Sequence, residues 1–314
     1  MLYLALGAVG GILAVEFFLR IVIKRGAGSS GGSAHSFRDA MLARSHQVEL
    51  LSTTEAHPFL QYTRPRTALS KGDQEYGFRG IRLSDVPKPA GVARIACLGG
   101  AGTEAGYPAL LQSYLNEASG ATKYQVLDFA VDGWASVHSM LNFILNVREF
   151  HPDIIVIQDE LRSAVCSGYP CSCRAGMHDY TPPSFRDNPL DERMLRISWI
   201  YRACKVLLGR SGVGAFSTDG RELRHYRRYI ETICTLADLE NIKVILLTLP
   251  CADRNPTRAA NQVLREIAGE RGIALIDLET LEVDASHPNG ASNQMNVERI
   301  GKMIVTLHSG ATAQ

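Results

Sequence analysis

Net charge is nearly absent: 33 Lys and Arg stand against 32 Asp and Glu, a formal charge of +1. That balance removes any overall electrostatic case for a nucleic-acid partner. No internal repeat is visible, which excludes solenoids and propellers. Cysteines are few and odd in number, seven, so they do not all pair within one chain. No basic residue precedes Arg20, whereas a secretory signal peptide needs a basic region ahead of its apolar stretch. The apolar N-terminus is therefore expected to be an uncleaved helix.

That stretch runs from Leu2 to Ile23 and is interrupted only by Glu16 and Arg20. As a helix it would cover roughly 33 Å, enough to cross a hydrocarbon core. Residues 1–25 are thus expected to form a single-pass anchor in a bacterial-type inner membrane. Glu16 and Arg20 are four apart, so they pair on one helix face and soften each other's cost, with Arg20 near enough to one end to snorkel. A Gly/Ser-rich linker from Gly26 to Ser33 argues against burial of this helix in the domain. Gly7 and Gly11 form a Gly-xxx-Gly step, a face on which an integral-membrane partner's helix would pack closely. Arg20, Lys24 and Arg25 flank the C-terminal side and favour a cytoplasmic domain, as does the odd thiol count.

A linker and leader follow over residues 26–90. From Arg94, strand-length apolar runs alternate with segments of helical period. Strands are expected at Ala93–Leu98, Tyr124–Ala130, Ile154–Ile157, Lys243–Leu249 and Ala274–Asp277. Helices are expected at Tyr107–Glu117, Ser136–Phe150, Arg221–Leu239, Thr257–Arg271 and Asn293–Leu307. An insertion at about 160–220 holds a further helix near Asp191–Leu208. Such alternation implies right-handed crossovers and a parallel sheet covered on both faces, a three-layer α/β/α domain over residues 91–310. Ligands of such sheets bind beyond the carboxyl ends of the strands.

Cys97, Cys204, Cys234 and Cys251 fall in regular segments and read as small buried thiols. Cys166, Cys171 and Cys173 cluster in the insertion at a spacing that matches no common zinc pattern, and no metal or cofactor is expected. Arg221, Arg224, His225, Arg227 and Arg228 form the one local concentration of charge. They make either a solvated helix surface or a contact with lipid headgroups or an acidic partner.

The first strand ends in Leu98-Gly99-Gly100-Ala101-Gly102-Thr103. This glycine-rich turn bends sharply and frees amides at a helix start, a natural anion site. With the flanking Ala93–Cys97 and Tyr107-Pro108-Ala109-Leu110-Leu111 it resembles the first block of the SGNH (GDSL-type) hydrolases. Four further segments carry the resemblance: His57–Tyr62 with Gly77–Gly80 upstream, Asp128–Trp134, His151–Ile157, and Asp284-Ala285-Ser286-His287. Glu16-Phe17-Phe18-Leu19-Arg20 of the anchor is similar to membrane-anchored members. The resemblance implies the SGNH fold with flavodoxin-like strand order, and a periplasmic location, against the flanking charges.

What the resemblance implies for chemistry is then mostly missing. An ester hydrolase of this type needs a serine activated by a histidine that an aspartate orients, plus amide donors and an asparagine aimed at the oxyanion. The serine position is Ala101, the second-block glycine is Ala130, and the third-block asparagine is Arg162; Asp284 and His287 are retained. Loss of a triad nucleophile alone costs about 10⁶ in turnover. One substitution would not account for Ala130 and Arg162 as well, so the pattern reads as natural decay. Thr103 would have to be reached by His287 to substitute, and its ordinary role is capping a helix start. Arg162 would pair with Glu160 or Asp128, or bind an anion. Trp134 would stack on a sugar or pack half-buried.

The expected function is that of a catalytically inactive subunit of a membrane complex, contacting lipid and an integral-membrane partner. One alternative is a glycan- or acyl-binding module using Gly100, Ala101, Gly102, Arg162 and His287. The other is an active esterase or O-acetyltransferase acting on cell-envelope glycans.

Overall fold

The computed structural model describes residues 2–25, 55–64, 78, 81–104, 107–119, 123–131, 133–159, 190, 193–194, 197–208, 221–250, 255–279 and 290–311. The chain divides into two units, a smaller one of Met1–Thr53 with Ala164–Ala215 and a larger one of Thr54–Ser163 with Phe216–Gln314. The insertion thus groups with the N-terminal helix.

In the smaller unit, α1 spans Leu2–Arg25. Its side chains are described over residues 10–21, and among the described residues no helix is long and apolar enough to cross a membrane. The Glu16–Arg20 pair forms, with Nε to Oε1 at 3.3 Å. A Cβ added at Gly11 would meet nothing within 4 Å.

The larger unit opens with a hairpin, β1 (Glu55–His57) and β2 (Gln61–Thr63). Its main sheet starts at β3 (Val92–Gly99), and the chain then runs through α2 (Ala101–Glu104), α3 (Tyr107–Ser119) and β4 (Lys123–Asp128). Next come α4 (Ser136–Leu145) and β5 (Ile154–Gln158). The insertion contributes α5 (Trp199–Leu208) to the smaller unit. The larger unit resumes with α6 (Arg221–Leu239), β6 (Lys243–Leu247), α7 (Asn255–Arg271), β7 (Ala274–Ile276) and α8 (Gly290–Ala311).

Five parallel strands lie in the order β4-β3-β5-β6-β7. Counted along the chain this is 2-1-3-4-5, the expected flavodoxin-like order. β5 is buried along its whole length, as its β-branched composition demands of a strand covered on both faces. On one face Ile95, Cys97, Val156, Ile245 and Leu247 pack with Leu111 and Leu115 of α3 and Ile300 and Ile304 of α8.

The helix expected over Ser136–Phe150 stops at Leu145. Asn146 leaves helical geometry (φ −128, ψ −52), and a 3-10 turn covers Val147–Phe150. His151, in the left-handed region at φ 47, then reverses the chain into β5. At the amino end of the sheet, Arg94 is wholly buried. Its guanidinium donates to Gln125 Oε1 at 2.8 Å, to Val86 O at 3.3 Å and to Phe150 O, joining β3 to the leader and to the 3-10 turn.

Candidate functional site

The carboxyl ends of β3, β4 and β5 meet at the first-block turn. Gly99 has φ +155, and a Cβ there would lie 2.4 Å from Gln158 O and 2.4 Å from Thr103 Oγ1. At Gly100 a Cβ would lie 2.7 Å from Trp134 O. Only glycine admits so close an approach of three backbone segments.

The turn then enters the single helical turn α2. Thr103 is fully buried; its amide donates to Gly100 O at 3.1 Å and its hydroxyl to Leu98 O at 3.4 Å. It faces down into the strand, so it neither caps the helix through its side chain nor offers an exposed hydroxyl. Below lie Cys97 and Tyr107, both buried. Burial, with Asp128 nearby, pushes the Cys97 thiol up; burial, with the Cys97 neighbour, does the same to the Tyr107 phenol. Both stay protonated, and neither reaches a surface.

The second block continues the ladder beside β3. Phe129 donates its amide to Cys97 O at 3.0 Å and Val131 to Gly99 O at 3.3 Å. Between them, the Ala130 amide donates to Asp128 Oδ1 at 3.1 Å. The hydrogen of that amide is thus held by an internal carboxylate. Residues 129–131 and 133–139 are all buried.

The leader seals this loop. His57 Nδ1 accepts the amides of Phe59 and Leu60 at 3.2 and 3.0 Å, which shapes the hairpin turn. Trp134 donates its indole N–H to Tyr62 O at 3.2 Å and stacks on His138, with centroids 5.8 Å apart and planes 11° from parallel. Phe78 meets Phe129 and Trp134 edge-on at 5.2 and 6.0 Å. Trp134 is therefore a core residue, only 1% exposed, with no face open for a sugar. His138 sits at the third position of α4, where its Nδ1 accepts the Ala135 amide at 3.1 Å. Burial pushes its imidazole down to about 4, so it is neutral at physiological pH.

Sequence reasoning passed over the end of β5. Gln158 is buried, and its Oε1 lies 3.4 Å from where a Cβ on Gly102 would stand. Asp159, also buried, accepts Ser139 Oγ at 2.6 Å, and its carbonyl accepts Tyr226 OH at 3.1 Å. The signal was available: two polar residues, Gln158 and Asp159, directly follow the apolar run Ile154–Ile157. Beyond β7, Thr248 Oγ1 donates to Asp277 Oδ1 at 2.9 Å, and Arg265 Nε donates to Asp277 Oδ2 at 2.8 Å. Burial raises the Asp277 carboxyl, but the Glu279 amide, Arg265 and Thr248 outweigh it and hold it below the usual range.

The structure thus brings together Gly99, Gly100, Gly102, Thr103, Gln158, Trp134 and Ala130 around the position of Ala101. Arg162, Asp284, His287, Cys251 and the Cys166, Cys171, Cys173 cluster lie outside the described residues. Cys97 and Cys234 are buried as expected, whereas Cys204 is exposed on α5. Among the described residues no group of His, Cys, Asp or Glu is arranged to hold a metal. The basic stretch is partly neutralised: Arg227 pairs with Glu231 at 2.8 Å, Glu266 at 3.1 Å and Glu270, which ties α6 to α7.

No protein-family model matches the chain, and no curated protein matches it. Its neighbours among solved structures are hydrolases of the GDSL/SGNH type. The lipase/acylhydrolase from Enterococcus faecalis is 15% identical, with TM-score 0.44, over 68% of this chain and 95% of that one. A GDSL-like lipase from Bacteroides thetaiotaomicron is 16% identical, with TM-score 0.41, over 68% and 88%. An acetylxylan esterase from Geobacillus stearothermophilus, solved as a catalytic mutant, is 14% identical, with TM-score 0.41, over 66% and 91%.

Proposed function

We propose that this chain is a membrane-anchored, catalytically silent SGNH-type protein serving as an accessory subunit of a membrane complex. The observation that supports this best is the Ala130 amide, which donates to Asp128 Oδ1 at 3.1 Å in a loop whose described residues are buried. Oxyanion stabilisation needs free donors aimed at developing charge, and this donor is occupied. Alanine at 101 supplies no attacking oxygen, and Thr103 is turned into the strand. The anchor is the apolar α1, with Gly7 and Gly11 as the helix-packing face toward an integral-membrane partner.

Purification of the full-length protein in mild detergent tests the subunit reading: a stoichiometric integral-membrane partner is expected, and free monomer alone would refute it. Turnover of p-nitrophenyl acetate tests silence: none above the background rate is expected, and activity lost on His287→Ala would restore the enzyme reading.

A further inference from the structure

We infer that α5 is an interfacial membrane helix, pinned to α1 by Glu16, with its outer apolar face in lipid. This rests on the reading of α1 as the membrane anchor and extends it to the insertion.

Glu16 is the one acidic residue of α1, and it grips the start of α5. Its Oε1 accepts the Trp199 amide at 2.6 Å, and its Oε2 accepts the Ile200 amide at 3.0 Å and Ser198 Oγ at 3.1 Å. Arg20 completes the joint by donating from Nη2 to Ile197 O at 3.0 Å. The first amides of a helix lack partners within it and carry its positive dipole end. A carboxylate from another helix satisfies both needs. The joint thus fixes α5 at the level of Glu16, nine positions before Arg25 at the end of α1, or about 13 Å of helix rise.

The polarity of this pair is the reverse of a helix packed in water. Trp199, Arg202 and Ala203, at i, i+3 and i+4, form the buried face of α5, with the Arg202 guanidinium 4.7 Å from the centre of the Trp199 ring. Cys204, Leu207 and Leu208 turn outward, Leu208 at 80% exposure. Leu190, Met194 and Ile197, spaced i, i+4, i+7, are exposed as well. α1 likewise turns Ile12, Leu13, Val15, Phe17 and Phe18 outward. Glu16 and Arg202 are turned inward while leucine and phenylalanine face out, and the half-exposed Arg20 reaches back to Glu16 and to Ile197 O. In a bilayer that arrangement is the stable one, because lipid replaces water around the apolar surface and the ionic groups satisfy one another. α5 covers ten residues, about 15 Å, so it is too short to span.

The test places a spin label at Leu208→Cys, and separately at Leu13→Cys, in full-length protein whose other accessible thiols are removed. The protein is reconstituted in phosphatidylethanolamine/phosphatidylglycerol vesicles, and collision rates with oxygen and with a water-soluble nickel chelate are read. Both labels are expected to favour oxygen several-fold over a label at exposed Arg228→Cys. Glu16→Gln is expected to shift the 208 label toward water while leaving the 13 label unchanged. A water-like 208 label beside a lipid-like 13 label overturns the interfacial helix and spares the anchor. Two water-like labels overturn both. A 208 label shielded from both reagents means that protein, a second copy or a partner, covers this face, and the inference falls.

Discussion

Asp128 and Ala130 form a closed pair: the Asp128 carboxylate accepts the Ala130 amide at 3.1 Å inside a fully buried turn. The consequence is chemical, because a donor already bonded to a carboxylate has no hydrogen left for an oxyanion. Adding a hydroxyl at position 101 would therefore leave this donor still occupied.

Ala101→Ser is accordingly expected to give no esterase activity above that of the parent protein. Steady-state hydrolysis of p-nitrophenyl acetate checks this. Clear turnover in the single variant, abolished by adding His287→Ala, would show that the second-block donor is dispensable.

Gly99→Ala is expected to destabilise the larger unit by about 3 kcal/mol or more. The new Cβ would sit 2.4 Å from Gln158 O and from Thr103 Oγ1, at φ +155, and a strand backbone has no room to move. Thermal unfolding followed by tryptophan fluorescence reads it; a melting temperature equal to the parent's would refute the tight packing described.

Arg94→Ala is expected to cost about 3 kcal/mol, because the acceptors Phe150 O, Val86 O and Gln125 Oε1 lose their shared donor in a buried site. Arg94→Met, which keeps the volume, should lose less. A Met variant as stable as the parent in chemical denaturation would assign the effect to packing alone.

His138 predicts a pH dependence with a definite sign. Its folded imidazole resists protonation until about pH 4, below the ordinary 6.5. The unfolded chain therefore binds the extra proton between those values, and stability falls as pH drops through that window, by about 1.4 kcal/mol per unit. Melting temperatures of the parent and His138→Gln across pH 4.5 to 7 should converge toward the acid end. Parallel curves would rule out a buried neutral histidine.

Much of this was written in the chain itself. The β-branched run Ile154–Ile157 and the alternation of strand-length and helical periods determined a parallel α/β sheet, because those patterns depend only on local periodicity and burial. The glycines at 99 and 100 announced the sharp turn. Tertiary structure alone decided where the polar side chains point. Nothing in the sequence said that Asp128 would take the Ala130 amide, that Thr103 would bond downward to Leu98, or that Tyr62 and Phe78 of the leader would close over Trp134. Glu16 is the sharpest case: four residues from Arg20 it reads as half of a local ion pair, yet its carboxylate holds the start of a helix 183 positions away. Periodicity fixes which face of a segment is apolar, but a hydrogen bond depends on distances between segments, and only the folded chain sets those.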